Sequence, residues 1–195
     1  MKKAAVYGGT FDPIHNGHLN LAQEVFEKTD LEEILFCPAN ISPRKINSPP
    51  FATAKDRLVM VHLALLEYDH FVSIDDEIKR GGVSYTIDTL EALKEKYKDQ
   101  KEISLLIAQD SLAHFLSWKD SKKIIENFEV FVGCRTNFSF DNLPKELDKL
   151  RKNFITTKEM EISSTDIRKR FNKGLCVDHL LPPKVLDYIY KNRLY

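Results

Sequence analysis

The sequence predicts an α/β fold: a Rossmann-like, doubly wound parallel sheet of about five strands, with helices on both faces and a small helical C-terminal part. Three observations predict it. Short apolar runs alternate with longer segments of helical period, as expected of a parallel sheet covered by helices. Five such runs are joined by segments long enough for helical crossovers. No internal repeat, low-complexity tract or linker interrupts them, so residues 1–195 read as a single domain.

The elements follow in order. The first strand, Ala4 to Tyr7, ends on Gly8-Gly9, and Gly17 to Lys28 continues with apolar residues at helical spacing. Ile34 to Cys37 is the second strand. Residues Ala39 to Thr53 contain Pro43, Pro49 and Pro50 with Arg44 and Lys45, and read as a loop across the ligand mouth, a length that is uncommon unless functional. Ala54 to Glu67 is helical, Phe71 to Ile74 the third strand, and Thr86 to Tyr97 a helix carrying Leu90, Leu93 and Tyr97 on one face. Ile103 to Ala108, a helix over Lys119 to Asn127, and Val130 to Gly133 complete the five-strand pattern. From Leu143 onward the chain predicts a short helix, a candidate strand at Phe154 to Thr156, a helix opening at Ser163 and a last helix after Pro182-Pro183.

Composition narrows the function classes. A chain of 195 residues and 22.6 kDa buries roughly 70% of its unfolded surface, enough for one sizeable core without staples. Twenty-nine Lys plus Arg balance 29 Asp plus Glu, so no global field draws the chain to nucleic acid or an anionic membrane. Cys37, Cys134 and Cys176 are odd in number and widely spaced, which fits a reducing compartment. No uninterrupted apolar run exceeds four residues, too short for a signal-peptide core or a membrane span. The expected location is the cytoplasm.

The strongest motif is Gly8-Gly9-Thr10-Phe11-Asp12-Pro13-Ile14-His15-Asn16-Gly17-His18, which leaves the first strand and enters a helix. Gly8 and Gly9 allow a sharp turn and a close approach of phosphate to backbone N–H groups. His15 and His18, three apart at a helix mouth, can both point at one anion, with Gly17 keeping the helix start open. A zinc or core role for the histidines is the alternative; two His are an incomplete zinc shell, and any further ligand would have to come from a distant part of the chain. A second element, Ser163-Ser164-Thr165-Asp166-Ile167-Arg168, contains a capping box in Ser163 and Asp166. The extra hydroxyls and Arg168 would surround the same helix N-terminus with donors suited to phosphate. Asp110 follows a strand, where it reads as a helix N-cap, an acceptor for ribose hydroxyls, or both. Trp118, the only tryptophan, is core by default, yet is the best aromatic face for a flat cation.

The GGTFDPIHNGH segment resembles the (T/H)xGH signature of the nucleotidylyltransferase superfamily, and the whole chain is similar to the bacterial nicotinate-nucleotide adenylyltransferases. The similarity continues through Pro43-Arg44-Lys45, Gly82-Val83-Ser84-Tyr85-Thr86-Ile87-Asp88-Thr89, Asp110 with Trp118, Ile162 to Arg168, and Leu181-Pro182-Pro183-Lys184-Val185. It implies transfer of AMP from ATP to nicotinate mononucleotide, with magnesium carried on the ATP phosphates. His15, His18 and Arg168 would be catalytic. ATP would be held by Gly8, Gly9, Thr10, Phe11, His15, His18, Asp110, Ser163, Ser164, Thr165 and Arg168. Lys45, Ser84, Tyr85, Thr86 and Trp118 would hold the second substrate, Trp118 by stacking on the nicotinate ring. No resident metal site is expected, and a homo-oligomer is compatible with the resemblance. Ala108-Gln109-Asp110 departs from the family's Gly-Ala-Asp, Arg44 from a common His, and Cys134-Arg135-Thr136-Asn137 from an Arg-Pro-Gly turn.

A phosphate monoester has a second pKa of about 6 and needs no protein base to attack phosphorus. Catalysis is then expected to rest on positioning and on charge neutralisation by His15, His18, Arg168 and magnesium. Competing readings are an adenylyltransferase for nicotinamide mononucleotide or pantetheine phosphate, a non-catalytic nucleotide-binding module, and a trimmed class I synthetase-like domain. The last would need a KMSKS-like loop that the sequence lacks, and a classical dehydrogenase would need GxGxxG.

Overall fold

The computed structural model describes residues 1–136, 138, 143–158 and 160–195. In chain order the elements are β1 (Lys2–Gly9), α1 (Asn16–Lys28), β2 (Glu33–Pro38), α2 (Ala54–Leu65), β3 (Phe71–Ser73), α3 (Asp76–Arg80), α4 (Thr86–Lys96), β4 (Lys101–Ala108), α5 (Gln109–Leu112), α6 (Ser121–Asn127), β5 (Val130–Cys134), β6 (Phe154–Thr156), α7 (Ser164–Asn172) and α8 (Pro183–Asn192). The strands form one parallel sheet ordered β3-β2-β1-β4-β5-β6 with helices around it. It has six strands, against the five expected: the Phe154 to Thr156 segment, read from sequence as a candidate, pairs in parallel with β5, Val132 opposite Phe154. Three residues are too short a run to show a period, so only pairing establishes this strand. The strand order reverses at β1, and ligands of such sheets bind at that switch point.

The chain forms two compact units. One comprises Met1–Gly8, Leu21–Leu35 and Tyr85–Glu159. Its centre is β4, paired in parallel with β1 (Val6 opposite Leu105) and with β5 (Leu106 opposite Phe131). Ala4, Ala5, Val6, Leu105, Leu106, Val130 and Val132 are buried because strands under helices have no wet face. Gly133 is glycine for a packing reason, since a Cβ there would lie 2.9 Å from the Leu21 side chain.

The other unit comprises Gly9–Asn20, Phe36–Ser84 and Met160–Tyr195. Here α2 packs on α8 and on β3, and Met60, Val61, Ala64, Val185 and Ile189 are buried. Thr53 caps α2, its hydroxyl accepting from Asp56 N at 3.1 Å, and Tyr188 donates to Asp56 at 2.9 Å. Among the described residues no helix is long and apolar enough to cross a membrane.

Candidate active site

The chain leaving β1 departs from the sequence expectation in an informative way. Gly8 and Gly9 do not turn; both lie within the strand, and the turn comes at Phe11, with φ of +50°. What Gly9 provides is room, because a Cβ there would sit 2.8 Å from the Phe11 ring. That ring is buried edge-on against His18, centroids 5.0 Å apart, and 5.9 Å from Phe36. The glycine thus lets Phe11 fold back under the histidines.

The spacing of His15 and His18 follows from helix capping. His15 precedes α1, and its carbonyl accepts from His18 N at 2.9 Å. His18, the third helical residue, returns its side chain to the His15 backbone N–H, Nδ1 accepting at 3.2 Å. This is half of a capping box, with imidazole in place of a carboxylate. An accepting Nδ1 places the proton of neutral His18 on Nε2, making that nitrogen a donor. The two rings stack, centroids 3.7 Å apart and planes 28° apart. Burial lowers the pKa of His15 to about 4. It also holds His18 well below its usual value, with His15 adding to the effect. Both are therefore neutral at pH 7 in the free chain, where they are dipolar donors. Gly17 leaves space for the His15 ring, since a Cβ would meet its Nδ1 at 3.1 Å. That Nδ1 is buried with no hydrogen-bond partner among the described residues.

The cations come from other segments of the same unit. Ser163 caps α7, accepting from Asp166 N at 3.1 Å, as its capping box predicts. Ser164 donates to the Pro13 carbonyl at 2.9 Å, fixing the start of α7 to the turn after β1. Arg168, one turn into α7, donates to the Asp12 carbonyl at 2.6 Å and to Thr165 Oγ1 at 3.3 Å, and lies over the Phe51 ring at 4.9 Å. Lys45 ends a short 3-10 turn, Pro43–Lys45. Burial and the nearby Arg168 lower its pKa, with Asp12 opposing.

Three residues that the sequence reading left without a role organise this cluster. Asp12 is buried, and its carboxylate accepts from Phe51 N (2.9 Å), Ala52 N (3.0 Å) and Tyr195 Oη (2.7 Å). Arg57 is buried on α2 and donates to the carbonyls of Thr10 (2.7 Å) and Asn40 (3.1 Å), just past the ends of β1 and β2. A charged residue beside Met60, Val61 and Ala64 on an otherwise apolar helix face was its sequence signal. Tyr195 had none. Lys45, Arg57 and Arg168 thus gather around one carboxylate, an excess of positive charge suited to a polyphosphate.

Gly9, Thr10, Phe11, His15, His18, Lys45, Ser84, Ser163, Ser164, Thr165 and Arg168 all belong to this unit. Ser84 is buried and accepts from Asn40 N at 2.9 Å. Gly8, Tyr85, Thr86, Asp110 and Trp118 belong to the other unit. There Thr86 opens α4, with Tyr85 preceding it. Lys119 bonds both oxygens of Asp88 (2.8 and 2.9 Å) and lies over the Tyr85 ring at 4.8 Å. Trp118 is half-buried with its ring 5.1 Å from that of Phe115. Asp110 is not the helix N-cap that its place after a strand suggests; Ala108 holds that position and Asp110 lies inside α5. The departure at Gln109 has a structural use: its Oε1 accepts from Arg135 N at 2.9 Å, tying the ends of β4 and β5. Asn137 lies outside the described residues.

Comparison with known proteins gives a consistent result. The family model described as cytidylyltransferase-like matches residues 6–170. A protein of Dictyoglomus turgidum named "Probable nicotinate-nucleotide adenylyltransferase" is 40% identical over 99% of this chain and 95% of its own length. One of the same name from Clostridium beijerinckii is 37% identical over 100% of both. Among solved structures, "Plasmodium falciparum nicotinic acid mononucleotide adenylyltransferase complexed with NaAD" aligns with a TM-score of 0.82 at 22% identity, covering 100% of this chain and 98% of that one. At that identity the likeness speaks for the fold.

Proposed function

The chain belongs to the cytidylyltransferase-like family and groups with the nicotinate-nucleotide adenylyltransferases within it, and on that premise we propose that it transfers AMP from ATP to nicotinate mononucleotide. The products are nicotinate adenine dinucleotide and pyrophosphate, a step of NAD biosynthesis. The observation that carries the reading is the stacked, neutral His15–His18 pair at the mouth of α1, in one compact unit with Arg168 and Lys45.

The reaction needs little covalent help from the protein. An oxygen of the mononucleotide phosphate attacks the α-phosphorus of ATP in line as the bond to the bridging oxygen of pyrophosphate breaks. The nucleophile is already ionised near neutral pH, so no side chain has to take a proton. His18 Nε2–H and the His15 ring donate to α-phosphate oxygens where charge builds in the transition state. Neutral donors held in a dry site are effective there because they need no reorganisation. Arg168 balances the charge gathering on the leaving pyrophosphate, assisted by the N-terminus of α7 with Ser163, Ser164 and Thr165, while Lys45 holds the phosphate of the mononucleotide. Magnesium arrives with ATP as part of the substrate. Gly8, Gly9, Thr10 and Phe11 line the triphosphate, and Asp110 accepts from the ribose hydroxyls. Ser84, Tyr85 and Thr86 bind the nicotinate carboxylate and Trp118 stacks on the pyridinium ring, an aromatic face against a flat cation. The site of action is the cytoplasm, in keeping with three free cysteines, two of them buried.

The test is pyrophosphate release from MgATP offered nicotinate mononucleotide, nicotinamide mononucleotide and phosphopantetheine side by side. Preference for the acid nucleotide is the expected result. Preference for the amide or for phosphopantetheine overturns the roles of Trp118 and Tyr85, and ATP binding without turnover on any of them reduces the chain to a binding module.

A further inference from the structure

Asp12 sits in the middle of the strongest motif, yet the proposed reaction gives it nothing to do. Its surroundings suggest what it does. The buried carboxylate is contacted by three donors that carry no charge: the amides of Phe51 and Ala52, where the Pro-rich loop ends, and the Tyr195 hydroxyl beyond α8. The one cation nearest it, Arg168, is held differently. Its Nη1 bonds the Asp12 backbone carbonyl at 2.6 Å and stays 3.7 Å from the carboxylate, outside hydrogen-bond range. Asp12 thus places the guanidinium by a hydrogen bond to its carbonyl, while its carboxylate faces Arg168 only as a loose ion pair with no hydrogen bond between them.

That difference has a chemical consequence. A bidentate Arg–carboxylate pair would occupy the donors that a phosphate needs, and ATP would have to break it. Each neutral donor on the carboxylate lowers its demand for Arg168. The contacts come from residues 39 and 183 positions away, so this saturation is a product of the fold.

We propose that Asp12 and Tyr195 are positioning residues for Arg168: Asp12 places the guanidinium through its carbonyl, while Tyr195 and the end of the Pro-rich loop saturate the Asp12 carboxylate and keep Arg168 available to the ATP phosphates. This rests on the assignment of Arg168 to ATP made above. Removing the Tyr195 hydroxyl leaves the carboxylate one donor short, and the nearest replacement is Arg168. ATP affinity then falls through Arg168, with no substrate contact assigned to Tyr195 itself.

The experiment is calorimetric titration of MgATP, without a second substrate, into the parent chain, Y195F, R168A and the double variant. For Y195F we expect about a tenfold weaker Kd, the scale of one hydrogen bond to a charged group. The KM for nicotinate mononucleotide should stay within about twofold, since that substrate does not engage Arg168. In the R168A background the Tyr195→Phe change should have no further effect on MgATP binding, because its route is gone. Equal weakening in both backgrounds, or an unchanged Kd in Y195F, overturns the proposal. A merely structural role would instead lower the melting temperature while leaving ATP affinity measured well below it intact. Failure of the parent to turn over nicotinate mononucleotide while still binding MgATP would refute the activity and leave this coupling to be judged by the binding ratios alone.

Discussion

Acidification from pH 7 to pH 5 should destabilise this chain through His15, by an amount that can be worked out. The ring is buried against His18, and burial holds its pKa at about 4 against 6.5 for the exposed group. Because the folded pKa is depressed, the unfolded chain binds the proton first as pH falls. The stability that the neutral ring contributes is complete above about pH 6.5, is lost progressively below it, and stops changing once the folded form protonates near pH 4. Linkage between those two values gives a loss of about 2 kcal/mol between pH 7 and pH 5 from His15 alone. The assay is urea unfolding at both pH values for the parent and for His15→Gln. Titrating groups remote from His15 contribute to both proteins and cancel in the difference, while His18, which His15 itself holds lower, changes in the same direction as the His15 term. The expected outcome is that H15Q is less stable at pH 7 yet loses about 2 kcal/mol less on acidification. Equal losses would refute the assignment of a buried, neutral His15, and with it the view that the pair acts by hydrogen bonding and not by charge.

Three further outcomes follow from the same geometry. His18→Ala should lower kcat for pyrophosphate release by about 10²–10³-fold with a much smaller change in KM, the signature of a lost transition-state donor; an unchanged kcat would remove His18 from the chemistry. Gly9→Ala should lower stability by about 1–3 kcal/mol in urea unfolding, because the new methyl falls 2.8 Å from a Phe11 ring confined between His18 and Phe36; an unaltered midpoint would mean that Phe11 moves freely. Trp118→Ala should raise KM for nicotinate mononucleotide about tenfold through loss of aromatic–cation stacking while leaving KM for ATP in place, and the reverse pattern in steady-state kinetics would assign Trp118 elsewhere.

Local features were legible in the sequence because they depend on residues a few positions apart. The Ala4–Tyr7 run, the helical period of Thr86–Tyr97, the Ser163 capping box and the three-residue spacing of His15 and His18 all encode geometry that a short segment carries wherever it is placed. Tertiary structure decided the rest. Whether His15 and His18 are charged depends on how completely Phe11 and the surrounding chain desolvate them, and no spacing reports that. Phe154–Thr156 became a strand because β5 offered it a partner. Gly9 looked like a turn residue and proved to be space for a ring two positions later, because the turn itself fell on Phe11. Asp12, Arg57 and Tyr195 acquire roles through contacts with residues distant in sequence. Such contacts exist only once the elements have packed, since burying a charge or a phenol is tolerated only where the fold supplies its partners.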